Sequence, residues 1–226
     1  MLGDTGIGMG DTMLIMKLSE LFGGDAGVPA DQFPDPAIDL PPDPTGTPQA
    51  VVLGGGCFWC TEAVFVKLDG VISVMSGYAG GTAETADYRS VCSGTTDHAE
   101  VIRVRFDSQR ISFGQILKVF FAVAHDPTHL NRQGNDIGRQ YRSAVFYANE
   151  DERRVAAAYI QQLKDAKVFP TPIVTTLEPL DRFFEAEDYH QNFVARNPAQ
   201  PYVAAVAAPK VKKLEKAFAD KLKKAT

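Results

Sequence analysis

The chain has 226 residues, of which 45% are hydrophobic, enough for one domain with a core of its own. The net charge is −5, and the acidic excess lies in residues 1–50, which hold eight acids and one base. The rest of the chain has no strong basic excess and no apolar stretch of membrane-spanning length, which argues against a nucleic-acid-binding protein and an integral membrane protein.

The cysteine content and the N-terminus indicate a cytoplasmic protein. The chain has three cysteines, an odd number that does not suggest a disulfide-built secreted scaffold. The N-terminus has no basic region, and its longest apolar run, at residues 13–16, is too short for a signal peptide. We therefore expect a cytoplasmic protein in which any disulfide is transient. We further expect it to be a monomer, although no sequence feature reveals the oligomeric state.

Residues 1–47 are predicted to be an extended lead segment. Seven of the 14 prolines lie between Pro29 and Pro48, among aspartates, glycines and threonines. Such a composition buries too little apolar surface to offset the entropy of ordering. Only residues 13–22 have the apolar spacing of a short amphipathic helix.

Residues 48–206 are predicted to form the folded domain. Short apolar or alternating runs predict strands at residues 50–53, 71–75, 100–107, 142–148 and 173–177. Helical spacing of apolar residues predicts helices at 58–67, at 113–124 with Ser112 as N-cap, at 150–167 and within 183–195. Residues 76–96 and 125–140 are predicted to be long loops. This irregular alternation favours an α+β two-layer sandwich with a mixed or antiparallel sheet and a ferredoxin-like core.

Residues 207–226 are predicted to form a basic C-terminal helix. Four apolar residues lie at helical spacing, with seven lysines around them. This pattern favours a helix that packs its apolar side on the domain and leaves the lysines in solvent. The alternative is a helix that binds a membrane surface.

The segment GGGCFWCTEAVF, residues 54–65, predicts a reactive thiol. A buried strand runs into three glycines, and Cys57 then opens a helix. Free backbone N–H groups and the positive end of the helix dipole stabilise a thiolate, so we expect the pKa of Cys57 to lie below that of a free thiol. Cys60 lies one turn further on the same helix face, an arrangement typical of dithiol–disulfide pairs.

Two other interpretations of the cysteines remain open from the residues alone. Both could be small buried hydrophobic residues, although three glycines and Trp59 make an unusual core segment. Cys92 and His98 would complete four zinc ligands, but no second close pair has the spacing of a zinc finger. We therefore assign neither a metal nor a cofactor.

Four further blocks of sequence follow GCFWC and Glu62. They are GYAGG at 77–81, DYRSVCSGTTDHAEVIRVRFD at 87–107, HDPTHLNRQGNDIGRQYRSAVFY at 125–147 and EDYHQNF at 187–193. In this order, over roughly residues 50–206, the blocks resemble those of the A-type peptide methionine sulfoxide reductases. Several blocks in series are more specific than any one motif. The resemblance implies an enzyme that reduces methionine S-sulfoxide, free or in proteins, and so repairs oxidative damage.

The resemblance also implies how the site works. Cys57 would be the nucleophile that attacks the sulfoxide sulfur and becomes a sulfenic acid. Phe58 and Trp59 would form the apolar wall that receives the substrate methyl group. Glu100 would protonate or hydrogen-bond the sulfoxide oxygen, which requires a pKa raised by burial.

Three more residues match positions of the family's site. Tyr88 and Tyr141 would also bind the sulfoxide oxygen, and Asp136 would order the site through hydrogen bonds. From the residues alone, the tyrosines could equally be half-buried sheet residues and Asp136 a turn residue.

The cysteines depart from the family's best-known form. Many relatives have glycine where Cys60 stands and carry their resolving cysteines near the C-terminus, whereas this chain has no cysteine after Cys92. The resemblance therefore implies a disulfide between Cys57 and Cys60, with Cys92 as the other candidate. Thioredoxin or another dithiol would reduce that disulfide.

Two other functions share part of this pattern. A thioredoxin-like disulfide oxidoreductase would also use a CxxC pair at a helix start, but it would not need Glu100 or the tyrosines. A non-enzymatic domain that binds methionine-containing or oxidised peptides would keep its binding without Cys57. The blocks that follow Cys60 favour the reductase over both.

Overall fold

A computed structural model describes residues 28–224 of the chain. The helix predicted within residues 13–22 lies outside this range. The strands are β1 Gln49–Gly55, β2 Val71–Ala79, β3 Ala99–Phe106, β4 Arg132–Gln133, β5 Asp136–Ile137, β6 Ser143–Tyr147, β7 Thr176–Pro179 and β8 Phe183–Glu185. The helices are α1 Phe58–Phe65, α2 Tyr88–Cys92, α3 Phe113–Val119, α4 Glu150–Asp165, α5 Phe193–Arg196 and α6 Ala208–Ala217.

The main sheet places the end of β1 at its centre. Its strand order is β7-β6-β1-β3-β2-β8. The pair β6 and β7 is parallel and the other neighbours are antiparallel, so the predicted α+β fold with a mixed sheet is confirmed. Leu53 of β1 pairs with Ile102 of β3 and Val145 of β6. The glycines that follow Leu53 therefore lie between β3 and β6. Cys57 comes directly after these glycines, so both strands can place side chains near it.

Both faces of the main sheet are covered. Helices α1, α3 and α4 pack on one face, where Leu53, Ile102 and Val104 are fully buried. Alternate residues of a strand point to opposite faces. Val52 and Val101 accordingly belong to a smaller cluster on the other face, which includes the irregular segment around Leu180.

The predicted loop at residues 76–96 contains a strand end and a helix. β2 continues to Ala79, and α2 follows with Asp87 as its N-cap, whose side chain accepts a hydrogen bond from Ser90 N at 3.0 Å. The loop prediction rested on the glycine content, but a Cβ at Gly77 would lie 2.3 Å from the Phe183 ring of β8. Glycine at this position permits strand pairing, so the prediction was wrong.

Smaller differences concern one short hairpin and the first or last residues of two predicted elements. The predicted loop at 125–140 contains the short β4–β5 hairpin. The predicted strand at 173–177 begins only at Thr176, and the predicted helix at 58–67 ends at Phe65.

Residues 28–47 of the lead segment pack against the domain. Phe33 is 3% exposed and meets Phe169 edge-to-face at 5.5 Å between ring centroids. The Tyr159 hydroxyl donates to the Pro34 carbonyl at 3.0 Å, and Lys118 pairs with Asp35 at 2.8 Å. The expectation that this composition cannot bury apolar surface is wrong here, because the domain supplies the apolar partners.

The C-terminal segment packs its apolar residues on the domain. Helix α6 ends at Ala217, before the predicted end of the helix, and a short 3-10 turn follows it. Leu214 and Phe218 are buried, and Leu222 forms an isolated bridge with Leu68. Within residues 28–224, no helix has the length and apolar character that crossing a membrane requires.

Ser112 begins α3 as predicted, and its replacement by alanine should destabilise the fold. Its hydroxyl accepts from Gln115 N at 3.2 Å, and the Gln115 side chain accepts from Ser112 N at 3.3 Å, forming a capping box. We expect Ser112→Ala to lower the free energy of unfolding by about 1 kcal/mol, measured by urea denaturation. Ser73→Ala, at an exposed strand position, is the matched control and should change it by less than about 0.5 kcal/mol. Equal losses in both variants would contradict the cap.

Candidate active site

Cys57 occupies the turn between β1 and α1. It is the N-cap of α1, and only 8% of the residue is exposed. Gly56 precedes it with φ +81°, and a Cβ there would lie 2.5 Å from the Gln133 side chain. Glycine is therefore required by both the backbone angle and the close approach of Gln133, which fixes where Cys57 enters the helix.

Cys60 lies one turn into α1 and is more deeply buried, with 1% exposed. Its thiol donates to the Tyr202 hydroxyl at 3.8 Å, and Tyr202 donates to Asp136 Oδ2 at 2.7 Å. Sequence reasoning missed Tyr202, although it is a lone aromatic residue in an alanine-rich stretch. These two hydrogen bonds, from Cys60 through Tyr202 to Asp136, link the start of α1 to the β4–β5 hairpin.

One cavity brings together seven of the eight residues that the sequence singled out. Its volume is about 100 Å³, and it is lined by Cys57, Phe58, Trp59, Tyr88, Glu100, Asp136, Tyr141 and, in addition, Tyr202. The eighth residue, Cys60, lines a neighbouring cavity of about 30 Å³ together with Cys57. Cys57 therefore borders both spaces and can face either a substrate or Cys60.

Glu100 is held against the start of α1. It is 2% exposed, and its Oε2 accepts from the Phe58 backbone N–H at 3.1 Å. Burial raises its pKa to about 8, and the nearby Asp136 charge adds to this effect, while the Phe58 N–H opposes it. Glu100 is thus mostly protonated at neutral pH, with the raised pKa that a proton donor in this cavity needs.

The two cysteine thiols have opposite pKa shifts. Burial raises the pKa of Cys57 above that of an ordinary thiol, and the neighbouring Cys60 and Glu100 raise it further. The prediction of a lowered pKa at Cys57 is therefore wrong for the substrate-free site, because it considered the helix end and not the burial. The pKa of Cys60 is lowered, first by its hydrogen bond with Cys57 and also by the positive charge of Lys210.

The aromatic wall beside Cys57, formed by Phe58 and Trp59, is held in place by side chains that pack against it. Trp59 stacks on Phe193 with ring centroids 3.7 Å apart, and its Nε1 donates to His190 Nδ1 at 3.0 Å. His190 is buried and also packs on Phe58 at 5.0 Å and Tyr88 at 4.4 Å. Sequence reasoning gave His190 no role and missed Phe193, although both belong to the EDYHQNF block.

The cavity tyrosines are hydrogen-bond donors at neutral pH. Burial raises the pKa of Tyr88 and of Tyr141, so both hydroxyls keep their protons. Cys92 lies beside them, and its thiol donates to Glu100 Oε1 at 3.9 Å. A polar group that enters the cavity would meet up to three protonated oxygens.

The zinc interpretation finds no support in the arrangement of side chains. Across residues 28–224, no three histidine, cysteine or acidic side chains lie close enough together to hold a metal ion. His98 instead contacts the Thr82 carbonyl at 2.9 Å through Nε2 and packs against Tyr78.

Known proteins are similar to this chain in sequence and in fold. A family model described as peptide methionine sulfoxide reductase matches residues 49–222. The peptide methionine sulfoxide reductase MsrA 2 of Synechocystis sp. is 50% identical over 194 residues, which are 84% of this chain and 90% of that protein. The crystal structure of Mxr1 from Saccharomyces cerevisiae in reduced form is 30% identical with a TM-score of 0.61, covering 72% of this chain and 93% of that one. Methionine sulfoxide reductase A of Corynebacterium diphtheriae is 31% identical with a TM-score of 0.58, covering 80% and 81%.

Proposed function

This chain belongs to the peptide methionine sulfoxide reductase family and is a methionine sulfoxide reductase, and on that premise we propose that Cys57, Glu100 and Cys60 carry its reaction on the S epimer. The observation that carries the proposal is the cavity of about 100 Å³ that joins a thiol, a protonated carboxyl group, two tyrosine hydroxyls and an aromatic wall. The substrate is methionine S-sulfoxide, free or in an oxidised protein.

The cavity volume fits the end of a side chain and not a whole peptide. The S-methyl group would lie against Phe58 and Trp59, because a polarised methyl group is attracted to aromatic faces. The oxygen would accept hydrogen bonds from Tyr88, Tyr141 and Glu100. The rest of the substrate stays outside, which is compatible with both free and protein-bound methionine sulfoxide.

In the first step, Cys57 Sγ attacks the sulfoxide sulfur while Glu100 gives its proton to the oxygen. The oxygen passes to Cys57, the sulfur–oxygen bond of the substrate breaks, and methionine leaves. The substrate sulfur is reduced and Cys57 is oxidised to a sulfenic acid. The proton of the Cys57 thiol restores Glu100, so the step balances without a thiolate in the resting enzyme.

In the second step, Cys60 attacks Cys57 Sγ. A disulfide forms, the sulfenic oxygen leaves as hydroxide, and the proton from Cys60 completes a water molecule.

Thioredoxin or another dithiol then reduces the disulfide, so we place the enzyme in the cytoplasm, where thiols are kept reduced. We propose that the enzyme acts as a monomer. The strand order β6-β1-β3-β2 supports the ferredoxin-like core.

The function is tested with separated epimers. With dithiothreitol as reductant, we expect turnover of methionine S-sulfoxide and none of the R epimer, since one enzyme type serves each epimer. Methionine release is followed by chromatography. Equal turnover of both epimers, or of neither, would refute the proposal. The alternative, a thioredoxin-like disulfide oxidoreductase, is not favoured, because disulfide exchange gives no role to the protonated Glu100.

Replacing Cys60 with serine should separate the two steps. We expect Cys60→Ser to release about one methionine per enzyme in a single turnover, because Cys57 still accepts one oxygen. Recycling by thioredoxin should be lost, measured as multiple turnovers with thioredoxin as sole reductant. Cys92→Ser is the matched control and should keep recycling. If Cys60→Ser recycles and Cys92→Ser does not, Cys92 is the resolving thiol instead.

A further inference from the structure

A buried lysine borders the cavity that the two cysteines share. Lys210, in the first turn of α6, is 7% exposed and lines this cavity of about 30 Å³ with Cys57 and Cys60. Its Nζ donates to the Ala124 carbonyl at 2.7 Å. That acceptor is neutral, so the hydrogen bond holds the ammonium in place without cancelling its charge.

The position of Lys210 is fixed by the end of another helix. Ala124 is the last residue of the π-helical turn Phe120–Ala124 that continues α3. Free carbonyl groups at a helix C-terminus carry partial negative charge and attract cations. Burying a lysine is otherwise costly. The hydrogen bond to the Ala124 carbonyl thus holds the positive charge of Lys210 beside the two cysteines, and this contact involves no part of the substrate cavity.

We propose that Lys210 is a positioning residue for the resolving step, whose ammonium stabilises the Cys60 thiolate that attacks the Cys57 sulfenic acid. This inference rests on the proposed function. Cys60 S⁻ forms the S–S bond, and the S–O bond of the sulfenic acid breaks. The departing hydroxide takes up the proton that Cys60 released. Cys60 is oxidised, the sulfenic sulfur is reduced, and no further reactant is needed.

The charged and titratable groups around Cys60 come from several elements. Cys57 hydrogen-bonds it from the start of α1, Tyr202 contacts it from the segment before α6, and Asp136 acts on it as a negative charge from β5. Glu100 of β3 is mostly protonated at neutral pH and becomes a second negative charge only above its pKa of about 8. Both negative charges disfavour a thiolate. Among these groups, Lys210 supplies the positive charge. Its charge does not depend on the oxidation state of Cys57, so it persists after the first step, when the thiol of Cys57 no longer exists.

Replacing Lys210 with methionine should slow resolution in a pH-dependent way. Loss of a nearby opposite charge raises the pKa of a thiol, which lowers the thiolate fraction at neutral pH. A more basic thiolate is also more nucleophilic, with a Brønsted coefficient of about 0.4–0.5. The net result for Lys210→Met is a resolving step about 3- to 30-fold slower near neutral pH. At high pH, where both enzymes are ionised, the variant should be at least as fast as the wild type.

The measurement is the pH profile of disulfide formation. The full-length reduced enzyme is mixed with substoichiometric methionine S-sulfoxide, and loss of the trappable sulfenic acid is followed by mass spectrometry. Lys212→Met is the matched control, since Lys212 lies on the same helix and is exposed, and it should keep the wild-type profile. Lys210→Gln removes the charge while keeping a donor for Ala124, so it should show the same shift even if Lys210→Met does not fold. Lys210→Arg keeps the charge and should keep the midpoint.

The outcomes separate this inference from the proposed function. A wild-type enzyme that releases no methionine would contradict the proposed function itself. A normal methionine burst with an unshifted resolving profile in Lys210→Met and Lys210→Gln would overturn only the role of Lys210. A uniform slowing at every pH, without a shift of the midpoint, would also overturn it, because that is the signature of a packing defect.

Discussion

Cys57→Ser is expected to abolish methionine release. A serine hydroxyl cannot accept the sulfoxide oxygen as a sulfenic acid, so neither of the proposed steps has a starting point. Loss of a catalytic nucleophile typically costs about 10⁴- to 10⁶-fold in rate. The buried position of Cys57 suits the substitution, because serine is slightly smaller than cysteine and creates no clash.

The measurement for Cys57→Ser is methionine release from the S-sulfoxide with dithiothreitol, in single and multiple turnover. Cys92→Ser is the control for loss of a cysteine from the same region, and it should still release methionine. Release by Cys57→Ser at more than about one hundredth of the wild-type rate would contradict Cys57 as the nucleophile.

Glu100→Gln should slow the first step by about 10²- to 10⁴-fold, the usual contribution of a general acid. Glutamine can still accept from the Phe58 N–H that Glu100 binds at 3.1 Å, so the start of α1 should keep its position. What is lost is the acidic proton. The active form of Glu100 is the protonated one, and its pKa is raised to about 8. The first-step rate should therefore be sustained below pH about 8 and fall above it.

The pH profile distinguishes an acid from a structural carboxyl group. Single-turnover methionine release is measured across pH for the wild type, Glu100→Gln and Glu62→Gln. Glu62 is also buried with a raised pKa, but it accepts from Asn192 N at 2.9 Å and does not line the cavity. The fall above pH about 8 should disappear in Glu100→Gln and remain in Glu62→Gln. A wild-type rate that rises through this range would show that thiol ionisation governs the step instead.

Local sequence patterns predicted the parts of the site that are local in the chain. The position of Cys57 follows from its neighbours in the chain, because a strand, three glycines and a helix start follow one another there. Predicting it requires no information about distant contacts. Glu100 lies 42 residues from Phe58, and only the pairing of β1 with β3 brings them together. No periodicity in the sequence shows that contact, and the family resemblance supplied it.

The errors share one physical cause, which is that burial by distant segments has no local signature. The pKa of Cys57 was expected to fall from its helix position, yet the surrounding chain buries it and raises the pKa. Lys210 was grouped with the solvent-exposed lysines of an amphipathic helix, although it is buried against Ala124. Phe33 was assigned to a segment without a core, but Phe169 lies 136 residues later in the chain and covers it.

The central claim is that the sulfoxide oxygen passes to Cys57. Its most direct test is the Cys60→Ser enzyme, reduced and mixed with methionine S-sulfoxide in the absence of reductant, followed by trapping of sulfenic acid and peptide mass spectrometry. We expect about one sulfenic acid per enzyme, on Cys57, in step with about one methionine released. Methionine release without a modified Cys57, or with the modification on Cys92, would contradict the claim.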